Sequence, residues 1–272
     1  MPLFHLLLLT VVFLAASIIS IISGSTSLIT VPAMLAFGIE PHIAIATNML
    51  GLTLMSIGGT LPFVGSGVID VKRLPLLIFL TLIGSVLGAL LVLIVPSRSI
   101  SLIISISMIV VALLSFANRD AGLVPAEREP SRVAEFSGYT ATFMLGIYGG
   151  FFSGGYVTLL TAAYVMLFRM TFIQAIATTK LINIFSSLIA TLIFASQRIV
   201  DYKLGLVLGL AMFVGGLIGG QLSLRLSNVW LQRIYLTVVA ILVVITLRRS
   251  QQQTSQSAQS MEVFFKETPV SQ

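Results

Sequence analysis

The run FIQAIATTKLINIFSSLIATLIFAS, residues 172–196, decides the class of this protein. Its polar members are hydroxyl-bearing residues, Gln174, Asn183 and a single charge, Lys180. About 20 mostly apolar residues suffice to cross a bilayer, so this run reads as a membrane-spanning helix. The rest of the chain is of the same kind. Of its 272 residues 57% are hydrophobic and 9% charged, with a mean hydropathy of +1.08. A water-soluble domain carries about 25% charged residues. This chain therefore lacks the polar side chains to cover a soluble globule, and the same composition excludes disordered, collagen-like and disulfide-scaffold classes. With no cysteine, and with His5 and His42 far apart, no metal site, thiol chemistry or cofactor is expected.

Further apolar runs lie at 3–22, 42–64, 74–95, 99–117, 136–152, 204–224 and 229–247, which with 172–196 makes about eight spans. Two stretches, 27–38 and 157–168, are too short to cross alone. Each follows a spanning run after a small-residue break and reads as a half-helix, a re-entrant segment or the continuation of a broken helix. The fold expected is thus an all-α, polytopic transmembrane bundle. Its divisions are a first transmembrane repeat at 1–117, a polar loop at 118–135, a second repeat at 136–249 and a disordered polar tail at 250–272. The first run has no Lys or Arg ahead of it and no small-x-small cleavage site after it, so it reads as a span, not a removed signal.

Lys and Arg number 15 against 9 Asp and Glu, a net charge of +6. The basic residues sit between apolar runs and form no stripe, which suits loop orientation and not nucleic-acid binding. Eight spans with both termini cytoplasmic would gather Lys72, Arg73, Arg119, Arg128, Arg132, Arg198 and Lys203 on the inner face. The alternative, in which the short segments cross and the halves are inverted, fits this pattern less well.

An internal duplication underlies the two halves. Ala44-Ile45-Ala46-Thr47 recurs as Ala175-Ile176-Ala177-Thr178, 131 positions later. The same offset pairs Gly24 with Gly155, Thr30 with Thr161, Ser56 with Ser187, Asp70 with Asp201, Lys72 with Lys203, Gly84 with Gly215 and Gly88 with Gly219. Homologous membrane halves commonly hold a substrate site at their interface and give alternating access by moving against each other. A duplication that only enlarges the bundle is the bland alternative.

The breaks fall at equivalent places, at Gly24 and Ser25 in the first half and at Gly154 and Gly155 in the second. A helix restarting after such a break offers backbone N–H groups and a positive dipole end to an anion. The same small residues also serve as packing hinges. Lys180 lies deep in its run, and Asn183 and Ser187 share its helix face. An intramembrane charge is a functional candidate because burying it unpaired costs several kcal/mol. No carboxylate lies in that span to pair with it. A bound anion would serve, as would backbone carbonyls or snorkelling to the interface. Thr178 and Thr179 precede the lysine, while the first half has Thr47, Asn48 and no lysine, so the candidate site is asymmetric. Asp70 and Asp201 read as helix caps at the interface, and the Gly84/Gly88 and Gly215/Gly219 pairs as packing faces. The chain has no phosphate-binding loop, no HExxH and no GxSxG, and enzyme chemistry is not expected. With no Asp or Glu deep in a span, proton coupling would fall to the substrate or to edge groups such as Glu40 and His42.

The glycine break, GIEPHIAIATN at 38–48 and Gly67-Val68-Ile69-Asp70 resemble the first half of the sulfite exporter TauE/SafE family. Ala177-Thr178-Thr179-Lys180 with Asn183, then Asp201, Gly215 and Gly219, resembles its second half, and the likeness runs from about residue 15 to 246. The resemblance implies an inner-membrane permease of about eight helices handling sulfite, sulfonates or other small organic anions. The function expected is transport of a small, sulfur-containing anion, with Lys180, Thr178, Thr179, Asn183 and Ser187 facing Gly24, Ser25, Thr47, Asn48, Gly154 and Gly155. Its partners are that anion and the lipid bilayer, and proton or sodium coupling and homo-oligomerisation stay open. A passive anion channel and a non-transporting membrane subunit are the alternatives.

Overall fold

The computed structural model describes residues 3–97, 99–100 and 130–231, together with 103, 106, 233, 234 and 237. Among these residues all regular structure is helical. In chain order the helices are α1 (Leu3–Ser23), α2 (Ser27–Ala36), α3 (Pro41–Thr60, extended by a 3-10 turn at Leu61–Phe63), α4 (Leu74–Ile94), α5 (Arg132–Phe151), α6 (Tyr156–Leu167), α7 (Phe172–Ser196) and α8 (Tyr202–Arg225). Five of them, α1, α3 with its extension, α4, α7 and α8, are long and apolar enough to cross a membrane. α5 covers the expected run at 136–152 but opens with Arg132 and Glu135. The expected spans 99–117 and 229–247 lie largely outside the described residues, as do most of the loop 118–135 and all of the tail 250–272.

Local chemistry sets the helix starts. The Glu40 carboxylate accepts from Ile43 N with Pro41 at the first position of α3, and Asp201 accepts from Leu204 N at the start of α8. Thr171 and Gln174 form a reciprocal capping box ahead of α7.

The two short apolar stretches are the helices α2 and α6, and each doubles back along the helix before it. His5, near the start of α1, stacks 5.0 Å from Phe37 just past α2. Likewise Tyr139, early in α5, lies 5.3 Å from Phe168 just past α6. Each pair is thus a hairpin whose tip points into the bundle. The remaining contacts sort the loops to two ends. At the first end His42 Nε2 is 3.0 Å from Val95 O, and Asp201 N donates to Thr47 Oγ1 at 3.1 Å. At the second end Asp70 N donates to Thr178 Oγ1 at 3.4 Å, Arg73 Nε to Glu135 at 3.1 Å and Ile173 N to Asn228 Oδ1 at 3.2 Å.

This corrects the expected grouping of basic loops. Lys72 and Arg73 stand at the second end, Arg198 and Lys203 at the first. The reason is topological: each hairpin returns the chain to the end from which it entered, so α3 and α7 run in opposite directions and their following loops separate.

Small residues let the long helices touch. A Cβ on Gly84 would lie 2.6 Å from Phe143 O in α5, and one on Gly219 2.5 Å from Ile18 O in α1. On the outward faces of the same two helices, Phe79, Ile83, Leu87 and Leu91 in α4 and Leu210, Val214, Ile218 and Leu222 in α8 are exposed. Such apolar stripes suit lipid, and the two sets lie 131 positions apart.

Candidate functional site

The two hairpin tips meet. Gly24 ends α1 at φ +73° and Gly155 opens α6 at φ +79°, left-handed values that favour glycine. A Cβ on Gly24 would sit 2.5 Å from Thr158 N, so its bare backbone is what allows the tips to touch. Ser25 Oγ lies 2.9 Å from Thr158 Oγ1, which also donates to Ser23 O at 2.5 Å. The first-turn amides are largely taken, Leu28 N by Ser25 O, Ile29 N and Thr30 N by Thr26 O, and Tyr156 N by Ser153 O, while both helix starts carry positive dipole ends toward this contact.

Lys180 approaches from α7. It is 1% exposed, and its Nζ donates to Ser20 O at 2.9 Å. That carbonyl, in the last turn of α1, also accepts from Gly24 N at 2.8 Å. The partial negative charge at a helix C-terminus favours a cation. Of the partners open at the sequence level, the structure shows a backbone carbonyl, and the side chain does not snorkel. Asn183, one turn on, donates from Nδ2 to Ser56 Oγ at 2.7 Å. Its Oδ1, and the hydroxyls of Ser20 and Ser23, are buried without a hydrogen-bond partner among the described residues. Leaving each such atom unmet costs about 1–3 kcal/mol.

The other candidate residues are placed as follows. Thr178 and Thr47 receive the amides of Asp70 and Asp201, so positions 131 apart exchange equivalent bonds between the two parts of the chain. Thr179 pairs with Thr161 at 3.2 Å, and Asn48 Oδ1 accepts from Thr30 at 2.7 Å, again at equivalent positions. Asn48 Nδ2 also donates to Ser27 Oγ at 2.9 Å. Ser187 donates to Asn183 O at 2.6 Å within its own helix, which leaves it a local role. Gly154 offers its carbonyl to Tyr148 OH, and a Cβ there would run into the Phe152 ring. The structure therefore brings together Lys180, Ser20, Gly24, Ser25 and the start of α6 at Gly155, with Asn183 one turn along α7 and bonded to Ser56. It ties Thr47, Thr178 and Ser187 into structural bonds.

At the bundle ends Glu40 pairs with His42, and Arg73 with Asp70 and Glu135. Burial alone would raise the Glu40 carboxyl, but hydrogen bonds from Ser97, His42 and the Ile43 amide hold it below its ordinary value. Burial likewise opposes the Arg73 charge, and contacts with Asp70 and Glu135 more than offset it. Asp201 caps α8 as expected, whereas Asp70 caps the turn before α4 by accepting from Lys72 N and Arg73 N.

Ser20 and Thr81 were not among the residues the sequence singled out. Ser17, Ser20 and Ser23 recur at helical spacing on one face of an otherwise apolar helix, a signal of a polar contact.

Long apolar helices around a hydroxyl-rich, cation-bearing centre define a multi-pass membrane protein with a polar interior. The chain belongs to the sulfite exporter TauE/SafE family, whose model matches residues 8–246. It is similar to the probable membrane transporter protein ORF9 of Sinorhizobium sp, with 33% identity over 224 residues covering 81% of this chain and 84% of that protein. It is also similar to the probable membrane transporter protein YfcA of Escherichia coli strain K12, with 30% identity over 243 residues covering 87% and 88%. No solved structure matches it. The family is one of membrane transporters, and the resemblance read from the motifs holds over nearly the whole chain.

Proposed function

We propose that this protein carries a small, sulfur-containing oxyanion across the cell membrane and binds it beside Lys180, where the two hairpin tips meet. The observation that carries this reading is a fully buried ammonium group with no carboxylate partner among the described residues, held by one carbonyl and neighboured by unpartnered hydroxyls. An oxyanion entering there replaces Ser20 O as the counter-charge of Lys180. The hydroxyls of Ser20 and Ser23, which have no other partner among the described residues, then donate to its oxygens, and the positive dipole ends of α2 and α6 face it. Sulfur oxyanions fit this donor-rich site, and the family's description names sulfite.

The exchanged Thr47–Asp201 and Thr178–Asp70 bonds, the paired lipid-facing stripes and the opposed directions of α3 and α7 support two homologous halves of inverted orientation. Such halves give alternating access by moving about a site between them. The second end carries Lys72, Arg73, Arg132, Arg169 and Arg225 among the described residues, against Arg198 and Lys203 at the first. By the positive-inside rule the second end is cytoplasmic, which places the start of α1 on the opposite face.

Uptake of radiolabelled sulfite into proteoliposomes tests the reading. Lys180→Ala is expected to reduce uptake to that of empty liposomes, and unchanged uptake removes the lysine from the site. Imposed proton or sodium gradients in the same assay separate coupled transport from passive conduction.

A further inference from the structure

A cleft of about 280 Å³ opens at the second end, between the α3–α4 loop and the turn joining α6 to α7. Gly67, Asp70, Lys72, Arg73, Arg169 and Gln174 contribute to its wall. Its acid is already engaged. Asp70 accepts from two backbone amides and from Arg73 Nη1 at 2.6 Å, and Arg73 reaches on to Glu135. Lys72 and Arg169 are exposed and have no ion-pair partner among the described residues.

Arg169 is held where an arginine is disfavoured. Phe168 N and Met170 N both donate to Tyr164 O, a helix-ending turn that leaves the intervening residue left-handed at φ +56°. Glycine is the usual occupant of that position, and the equivalent residue after α2 is Gly38 at φ +79°. A guanidinium thus stands at the cleft wall in spite of its backbone. The cleft is tied to α7, the helix that carries Lys180. Its wall residue Asp70 donates its amide to the buried Thr178, two residues from Lys180 on α7.

We propose that this cleft is a second oxyanion-binding site, in which Lys72 and Arg169 hold the anion at the mouth of the path to Lys180 and the α3–α4 loop separates the two sites. The proposal deepens the transport reading and rests on it for the path, though not for the binding. A lipid phosphate shares the same chemistry, so the test must tell the two apart.

The test is equilibrium binding of radiolabelled sulfite to the purified full chain in phosphatidylcholine nanodiscs. The wild type is expected to show two classes of site, and Lys180→Met and the double variant Lys72→Gln/Arg169→Gly one each. Glycine relieves the left-handed strain at 169, so the single Arg169→Gly protein should melt no lower than wild type, and its loss of binding is not a loss of fold. In proteoliposomes the double variant should need about tenfold more sulfite for half-maximal uptake at an unchanged maximum. Two sites retained in the double variant overturn the proposal. If Lys180→Met keeps both sites while the double variant loses one, the cleft stands and the Lys180 reading falls. If the cleft residues bind phosphatidylglycerol nanodiscs but no sulfite, the site is a lipid contact and its place on the path is overturned.

Discussion

Lys180 is held by a carbonyl and not by a carboxylate, which sets what its replacement does. Removing one member of a buried ion pair strands the other and destabilises by about 3–5 kcal/mol. Here no opposite charge is left behind, because Ser20 O still accepts from Gly24 N. Lys180→Met, which keeps the length and apolar stem, is therefore expected to melt at or above the wild-type temperature and to lose sulfite uptake. Lys180→Arg keeps the charge but brings a planar fork into a space filled by an ammonium, and should restore little. A thermal melt and an uptake assay on the same preparations check both. A large fall in melting temperature for Lys180→Met would falsify the view that the lysine serves the substrate and not the fold. Lys180 and Asn183 were legible in the sequence because polarity deep in an apolar run has few structural explanations. Ser20 was not. Which carbonyl meets an ammonium group depends on where α1 ends against α7, and that is fixed by packing between distant segments.

At the scale of helices the determinants are small residues and caps. Gly88 faces Ile147 O of α5 so closely that a Cβ cannot fit without moving the backbone. Gly88→Ala is therefore expected to destabilise by about 1–3 kcal/mol. Leu87→Ala on the outward stripe should do less, and the comparison can be made by thermal melts in one detergent. The Gly-x3-Gly spacing announced this contact in the sequence, as the paired Ser, Thr and Gly residues announced the breaks. The direction of the short helices was not announced, since an apolar segment of 10 or 12 residues is equally compatible with continuing and with doubling back. The stacking of His5 on Phe37 decides it. The start of α3 also has a pH signature. The Glu40 carboxyl is lower in the fold than its ordinary value of 4.5. Its contribution is therefore full above about pH 4.5 and is lost as the pH falls through the lowered value. The group is largely exposed, so the effect is small. Melting temperature should drop below that pH in the wild type, and Glu40→Gln should flatten part of the drop.

For the whole molecule the hairpins change which face each loop occupies. Counting spans from apolar runs places the loops after α3 and after α7 on one side, because α1 and α5 are then each a full crossing and α2 and α6 none. A hairpin that enters and leaves at the same end makes no crossing, and the Arg73–Glu135 contact puts the start of α5 at the second end, opposite to the start of α1. The basic residues then divide unevenly, with the larger group at the second end. Because the chain has no cysteine, single cysteines can report the faces directly. Ser66, in the loop after α3, and Gln197, in the loop after α7, are both exposed. In intact cells a membrane-impermeant maleimide should label Gln197→Cys and spare Ser66→Cys, and should label both once the membrane is permeabilised. If both label alike in intact cells, the two loops share a face and the inverted arrangement fails. If Ser66→Cys labels and Gln197→Cys does not, the inversion stands but the second end is external. The cleft at Lys72 and Arg169 then faces the outside, and an anion reaches it before transport inward.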